Sequence, residues 1–216
     1  MTKGAAAKIA KLPQHGFRFY NLGAGPKPIL PLLIGERAFQ GWQEIRVDAD
    51  PSCRPDICAR LEDLGQVIAP GTADMLYCSH VLEHFHDHDL PALFAQFLRA
   101  LHREGCLIIR APDLAQLLQD GLSFDPDRVL YTSAAGPISA LDILFGHHAS
   151  IRAGHDLMAH RTGFTQKSLT SRLIKAGFRE VQSFSSQALE FCAVATKGKL
   201  KHQAECGALL SYIARG

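Results

Sequence analysis

The sequence predicts an α/β protein with a doubly wound sheet that is mostly parallel and finishes in an antiparallel hairpin. Three observations lead to this prediction. Apolar strands alternate with segments of helical periodicity, and the strand interiors are uniformly apolar, which is typical of a parallel sheet covered on both faces. The last two strands are separated by a loop too short for a parallel crossover, so they must pair in antiparallel fashion.

Turn residues mark the ends of the predicted strands and helices. Asp89 and Pro91 are typical of the first turn of a helix, and apolar residues at helical spacing extend this helix to Gly105. A second helix covers 165–176 and ends at Gly177, because glycine readily adopts the left-handed conformation found at helix ends. The predicted strands are 17–22, 44–47, 73–78, 106–109, 178–184 and 189–196.

The chain is expected to form one main domain with a lid. Its 216 residues, 47% of them hydrophobic, can bury one substantial core. The domain is predicted over 17–200, after an N-terminal arm at 1–16 and before a C-terminal tail at 201–216. Residues 121–164 interrupt the alternation of strands and helices with prolines, glycines and four histidines. We interpret them as a lid over the carboxyl edge of the sheet, with a short helix at 137–146.

Charge and hydropathy exclude several classes of partner. The chain has 23 Lys and Arg against 21 Asp and Glu, so it lacks the basic excess typical of proteins that bind nucleic acid or anionic membranes. Its apolar runs are too short to span a bilayer and no signal peptide is evident, so a cytoplasmic location is expected. The six cysteines form no C-x-x-C pair and are expected to be mostly small buried apolar residues.

The first predicted strand leads into a glycine turn, Gly23-Ala24-Gly25, at the edge where parallel sheets bind ligands. Such a turn can present backbone N–H groups to a ligand, and Asp48, at the end of the second strand, could accept hydrogen bonds from a ribose diol. Pro28 replaces the third glycine of the G-x-G-x-x-G pattern, which disfavours a dinucleotide and hence a nicotinamide-dependent oxidoreductase. The alternative is that the glycines only form a turn and that Asp48 only caps one.

A histidine-rich stretch, SHVLEHFHDHDL at 79–90, follows the third predicted strand. His80, Glu83 and His84 match the H-x-x-E-H pattern of one class of zinc peptidases, which requires both histidines on one helix. The strand ends only at Cys78, so His80 is expected to lie in a turn, and the peptidase is disfavoured. Glu83 and His84 are expected to form the polar end of this turn, and no metal site is predicted.

The chain contains, in order, the segments YNLGAGPKP, IRVDADP, ADMLYCSHVLEHF, LHREGCLIIRAPDL, HRTGFTQKSL and KAGFREV. Together they resemble the class I S-adenosylmethionine-dependent methyltransferases, whose fold is Rossmann-like, and in particular a small bacterial group with an N-L-G-x-G-P turn. The resemblance extends over 17–196. It implies S-adenosylmethionine as the cofactor and methyl transfer to a small-molecule or carbohydrate-like acceptor. A non-catalytic binding subunit with the same fold is the alternative.

The resemblance and the positions of polar residues assign roles to individual side chains. The candidate bases are His80, His155 and His160, since imidazole titrates near neutrality. The acceptor is expected to contact His147 and Arg161, whose planar guanidinium suits a carboxylate or phosphate. The residues expected to contact the cofactor are Asn21, Gly23, Ala24, Gly25, Asp48, Ala49, Asp63, Leu64 and Ser79.

Two features leave alternatives open. Arg60 stands where the family usually has an acidic residue, and an arginine cannot accept the amino hydrogens of adenine. His80, Glu83 and His84 also resemble the E-x-x-E-H segment of the metal-dependent methyltransferases of small-RNA 3′ ends and of the ubiquinone pathway. That alternative is an O-methyltransferase in which a divalent transition metal orients the acceptor hydroxyl, with a fourth ligand from the lid.

Overall fold

The structure of the protein, a computed structural model, describes residues 16–33, 39–121, 125–133, 135–186 and 189–215. Within these ranges the chain forms two sheets. The strands are β1 (Phe17–Leu22), β2 (Trp42–Asp48), β3 (Ile57–Cys58), β4 (Ala73–Ser79), β5 (Leu101–Pro112), β6 (Val129–Ser133), β7 (Gly136–Ser139), β8 (Glu180–Ser185) and β9 (Glu190–Thr196).

The main sheet has seven strands in the order β3-β2-β1-β4-β5-β9-β8. The first five strands of this order pair in parallel, and β9 is antiparallel to both β5 and β8. The predicted fold, a mostly parallel Rossmann-like sheet with a C-terminal antiparallel hairpin, is therefore confirmed. The chain runs from β1 outward to β2 and β3 and then returns to β4 on the other side, so the strand order reverses at β1. Open α/β sheets bind ligands at such a point, beyond the carboxyl ends of the strands.

Helices cover both faces of the sheet. No helix in the described part of the chain is both long enough and apolar enough to cross a bilayer. The helices are α1 (Leu30–Leu33), α2 (Leu64–Val67), α3 (Leu90–Ala100), α4 (Leu114–Gly121), α5 (Ala140–Phe145), α6 (His148–Arg152), α7 (Gln166–Ala176) and α8 (Gln203–Arg215). The core is divided accordingly, with α3 and α7 packed on one face and α1 and α8 on the other.

The C-terminal segment belongs to the core. Residues 201–216 are predicted as a tail, but α8 buries Cys206, Leu209 and Ile213 against the sheet, together with Trp42. These three residues recur at helical spacing, so they lie on one face of the helix. Burial of their apolar surface stabilises the packing of α8 on the sheet by roughly 25 cal/mol per Å². The prediction of a separate tail is therefore wrong.

The helix α3 ends at Ala100, and β5 begins at the next residue. The predicted helix end at Gly105 is therefore wrong, because Gly105 lies within β5. A Cβ atom at Gly105 would lie 2.9 Å from the carbonyl oxygen of Ala73 and 2.8 Å from that of Asp74. A glycine within a strand often marks such a close approach of another backbone. Gly105 therefore allows β5 to lie close to β4 and does not terminate the helix.

The lid segment contains secondary structure of its own. β6 and β7 form an antiparallel hairpin that leads into α5 and α6. The helix predicted at 137–146 is partly right, because Gly136–Ser139 form β7, and Ser139 then begins α5 through a capping box with Asp142. The N-terminal arm predicted at 1–16 lies outside the described residues except for Gly16.

The start of α7 offers a test of local stability. The hydroxyl oxygen of Thr165 accepts the backbone N–H of Ser168 at 3.1 Å, and the Ser168 hydroxyl accepts that of Thr165 at 2.9 Å. Replacing Thr165 by Ala should lower the free energy of unfolding by about 1 kcal/mol, because one end of this cap is lost. Urea denaturation measures the change. Ser171→Ala, on the exposed side of the same helix, is the control and should stay within about 0.5 kcal/mol. Equal losses in the two variants would contradict the assignment.

Candidate functional site

The glycine turn after β1 lies at the switch point of the sheet. Gly23 and Gly25 both have positive φ angles, of 64° and 61°, which favour glycine. Their surroundings differ. A Cβ atom at Gly23 would lie 2.4 Å from a methyl carbon of Val81, so this glycine permits tight packing against the turn after β4. A Cβ atom at Gly25 would have no neighbour within 4 Å, so this glycine borders open space.

The backbone N–H groups of this turn are used within the protein. Those of Gly23 and Ala24 donate to the carbonyl oxygen of Val47, at 2.8 and 3.3 Å. That of Gly25 donates to Oδ2 of Asp48 at 2.8 Å. The expectation that these N–H groups face a ligand is therefore wrong, because the second strand already accepts them. The turn still brings its backbone to the open side of the sheet edge.

Asp48 is the last residue of β2 and is half-buried. Its Oδ1 atom accepts the backbone N–H of Asp50 at 2.9 Å, so each carboxylate oxygen takes one hydrogen bond from the main chain. A carboxylate has about four lone-pair sites, so two remain for the hydroxyls of a ribose. Ala49, the next residue, is exposed beside it. The position and the free lone pairs suit the predicted role of Asp48.

Asn21 supports the turn and does not face it. Its side chain is buried and donates to Oε1 of Glu44 at 2.8 Å. Glu44 also accepts the backbone N–H groups of Ile29 and Leu30, at 3.0 and 2.7 Å, at the start of α1. This partner and the burial of the side chain give no support to the predicted contact of Asn21 with the cofactor, which stays a prediction. Sequence analysis missed Glu44, although a carboxylate inside a predicted buried strand was a signal that it has a partner.

The remaining predicted cofactor contacts differ in their exposure. The side chain of Leu64 is fully buried in the core, which leaves only its backbone for a ligand. Asp63 is exposed at the start of α2. Ser79 is the last residue of β4 and precedes His80. Arg60 is exposed and pairs with Glu62 at 2.6 Å.

A cavity of about 240 Å³ lies between the turn after β4, the lid and the start of β9. It is close to the glycine turn, because His80 in its wall is followed by Val81, which packs on Gly23. Most of its titratable side chains come from separate parts of the chain. They include His80, Glu83, Tyr131, His147, His160 and Glu190.

His80 is held between two carboxylates. Its Nε2 atom lies 2.7 Å from Oε2 of Glu190, and its Nδ1 atom lies 3.4 Å from Oε1 of Glu83. Arg110 of β5 binds the other oxygen of Glu190. The φ angle of His80 is 52°, in the left-handed region that non-glycine residues seldom adopt. Sequence analysis missed Arg110 and Glu190, which lie far from His80 along the chain.

These contacts determine the charge of His80. Burial lowers its pKa, but the hydrogen bond to Glu190 and the contact with Glu83 outweigh burial and raise the pKa to about 9. Burial alone would raise the pKa of Glu190, but the hydrogen bond and charge of His80, with the charge of Arg110, lower it to about 2. His80 therefore carries its proton at neutral pH. Both of its N–H groups face carboxylates, so it is a poor general base.

His160 has the opposite character. Its Nδ1–H donates to the carbonyl oxygen of Ile143 at 2.8 Å, which leaves the lone pair on Nε2. Burial lowers its pKa, so the ring is neutral at pH 7. His84 likewise donates from Nδ1 to the carbonyl oxygen of Ala159 at 3.1 Å, and the rings of His84 and His160 meet edge to face at 4.9 Å.

Glu83 completes a group that could hold a cation. It is 1% exposed, and within the described ranges neither of its carboxylate oxygens accepts a hydrogen bond. Ligand atoms of Glu83, His84 and His160 lie within 4.8 Å of one another. This set contains Glu83 and His84 of the predicted metal alternative, but His160 takes the place of His80, which is bound to Glu190.

The other lid residues are distributed around the cavity. His147 lines it, with Nδ1 at 2.7 Å from the Ser150 hydroxyl. Arg161 lines a neighbouring cavity of about 220 Å³ that shares Glu83 and His160 with the first. His155 is exposed and lines neither. The predicted acceptor residues are thus divided between two adjoining spaces.

A family profile described as a methyltransferase domain matches residues 37–109. The match agrees with the family predicted from the sequence, and it supports an S-adenosylmethionine-dependent methyltransferase with S-adenosylmethionine as its cofactor. No curated protein sequence matches the chain significantly.

Solved structures share the fold of this chain. A SAM-dependent methyltransferase from Archaeoglobus fulgidus has a TM-score of 0.54 at 13% identity, over 83% of this chain and 86% of that one. The PH0226 protein of Pyrococcus horikoshii has a TM-score of 0.57 at 15% identity, over 84% and 82%. The 1,6-didemethyltoxoflavin-N1-methyltransferase of Burkholderia thailandensis has a TM-score of 0.52 at 15% identity, over 85% and 72%. At these identities the similarity establishes the fold.

The pair of His80 and Glu190 should make stability depend on pH. The raised pKa of His80 contributes stability that is complete below its ordinary value of 6.5 and is lost as pH rises through about 9. The lowered pKa of Glu190 contributes stability that is complete above 4.5 and is lost as pH falls through about 2. The contribution of the pair is therefore greatest between these two ordinary values.

Glu190→Gln removes this contribution and keeps the side-chain volume. We expect the free energy of unfolding to fall by about 1–2 kcal/mol near pH 6, a range reduced because water screens the partly exposed His80. The loss should be smaller near pH 10, roughly a pH unit above the pKa of His80. Urea denaturation at both pH values measures the loss. The control is Glu62→Gln, because Glu62 forms an exposed ion pair with Arg60. A loss that does not change with pH would contradict the pairing.

Proposed function

We propose that this chain transfers a methyl group from S-adenosylmethionine to a small-molecule or carbohydrate-like acceptor. The observation that carries the proposal is the cavity of about 240 Å³ beside the glycine turn, whose mostly apolar wall carries several histidines and carboxylates. Its volume suits a small ligand, and its many hydrogen-bonding groups suit an acceptor with hydroxyls. The small net charge of the chain offers no support for a polyanionic acceptor.

Two features fit the cofactor. The space beside Gly25 is open on the side where a Cβ atom would stand, so a ligand can approach the backbone closely. Asp48 keeps lone pairs for the ribose hydroxyls in addition to its two main-chain hydrogen bonds. Ala49, Asp63 and Ser79 lie around the same edge and complete the proposed contact surface.

The bound cofactor would supply an electrophilic methyl group that is displaced in line by the acceptor. The protein positions the acceptor and removes its proton. His160 is the best base of the three predicted, because its Nε2 lone pair is free and its ring is neutral at pH 7. His80, which is protonated and held by Glu190 and Glu83, contributes positive charge to the wall of the cavity. His147 holds the acceptor from the lid side, and Arg161 suits an anionic group that extends into the adjoining cavity.

A metal-assisted O-methyltransferase is the second candidate. The buried carboxylate of Glu83, which accepts no hydrogen bond from the described residues, and its proximity to His84 and His160 favour it. Both histidines donate from Nδ1 to backbone carbonyls, as metal-binding histidines commonly do, which leaves Nε2 as the ligand atom. One carboxylate and two imidazoles suit a divalent transition metal. In this case His160 would be a ligand and could not act as the base.

Gly25→Ala tests the cofactor site. The added methyl group would enter the space proposed for the ligand, so the dissociation constant for S-adenosylhomocysteine should rise by about 10-fold or more. Gly71→Ala is a matched control, because Gly71 also has a positive φ, of 68°, and open space around its Cβ position. The two variants should lose similar stability, about 1–2 kcal/mol. Calorimetric titration that gives equal affinities for both variants would refute the proposed location.

His160→Ala tests the acceptor side. Formation of S-adenosylhomocysteine is followed with a panel of sugars, polyols and small phenols. Turnover should fall by about 100-fold, the scale of losing a general base, while affinity for S-adenosylhomocysteine stays unchanged. His88→Ala, whose side chain is 79% exposed and outside the cavity, is the control.

Two further measurements, chelation of metal ions and the acceptor panel with wild-type protein, distinguish the candidate functions. If His160 is the base, a chelator leaves wild-type turnover unchanged. If it is a metal ligand, the chelator abolishes turnover and Mn²⁺ or Zn²⁺ restores it. Wild-type protein that binds S-adenosylhomocysteine but methylates nothing in the panel would favour the non-catalytic binding subunit.

A further inference from the structure

Arg46 of β2 joins the two loops that form the floor of the proposed cofactor site. Its side chain is 15% exposed, and its Nη1 atom donates to the carbonyl oxygens of Gly25 and Cys53, each at 3.3 Å. Its Nη2 atom donates to the carbonyl oxygen of Arg54. One guanidinium therefore contacts the turn after β1 and the turn after β2. No role in the proposed chemistry requires this residue.

The contact with Gly25 is part of a two-sided clamp. The N–H of Gly25 donates to Asp48, and its carbonyl oxygen accepts from Arg46, so neighbouring residues of β2 hold both polar groups of the glycine. The loop after β2 is held at a strained position, because Arg54 has a φ of 49° and its carbonyl is bound by Arg46. Asp56 anchors the clamp by accepting the backbone N–H of Arg46 at 2.8 Å.

We propose that Arg46 is a positioning residue that sets the distance between the glycine turn and the turn that follows Asp48. This inference rests on the proposed function. A ligand that reaches from Gly25 to Asp48 binds well only if both loops are already in place, and preorganisation of this kind reduces the cost of binding. Lysine cannot replace the arginine fully, because an ammonium lacks the planar fork that reaches several carbonyls at once.

The test compares Arg46→Met and Arg46→Lys with Arg99→Met. Arg99 is a suitable control because it also binds two backbone carbonyls, those of Leu64 and Ile68, but does not contact the glycine turn. Dissociation constants are measured for S-adenosylhomocysteine, which would span both loops, and for adenosine, which would contact only the second. Melting temperatures report general destabilisation.

Arg46→Met should weaken S-adenosylhomocysteine binding by about 10-fold or more and adenosine binding by less than about threefold, with Arg46→Lys between wild type and Arg46→Met. Arg99→Met should lower the melting temperature similarly but leave both affinities near wild type. Equal weakening of the two ligands, or an unchanged affinity for S-adenosylhomocysteine in Arg46→Met, would overturn the inference and leave the proposed function intact. A wild-type protein that binds neither ligand would overturn the proposed function, and this inference with it.

Discussion

The site depends on the pairing of β1 between β2 and β4. In this register Leu22 lies opposite Val47 on one side and Cys78 on the other. The next residues along the three strands are Gly23, Asp48 and Ser79, so three distant parts of the chain leave the sheet side by side. A shift of one residue in either pairing would turn alternate side chains to the opposite face and separate these groups. The apolar strand interiors prevent such a shift, because both faces of the sheet are buried.

On the lid side of the site, the positions of the side chains depend on compensation of buried charges and not on strand register. Two carboxylates, Glu83 and Glu190, are almost fully buried, and buried charges are costly unless they are compensated. His80 lies between them and Arg110 completes the compensation on one side. The carboxylate of Glu83 accepts no hydrogen bond from the described residues and faces two histidines. It is the group whose environment a ligand, a proton or a cation would change most.

Much of the fold could be predicted because its signals are local. The period of apolar residues and the glycine after Leu22 gave β1 its observed ends, and Gly177 ends α7 with a φ of 106°, as expected. The C-terminal hairpin followed from loop length alone. The helix α8 was missed although Cys206, Leu209 and Ile213 have helical spacing.

The candidate site was less predictable because its partners are remote in sequence. Nothing near His80 indicates that Glu190 binds it, and only the antiparallel insertion of β9 beside β5 brings them together. The difference between a protonated and a neutral histidine depends on such partners and on burial. Residue type alone therefore identified His80 and His160 as candidates of the same kind, whereas the structure gives them opposite protonation states at neutral pH.

The carboxylate of Glu44 has a consequence for the entropy of ligand binding. By accepting the N–H groups of Ile29 and Leu30 together with the amide of Asn21, it anchors the chain on the far side of the glycine turn. A loop anchored in this way has little conformational freedom left to lose, which lowers the entropic cost of holding a ligand beside it.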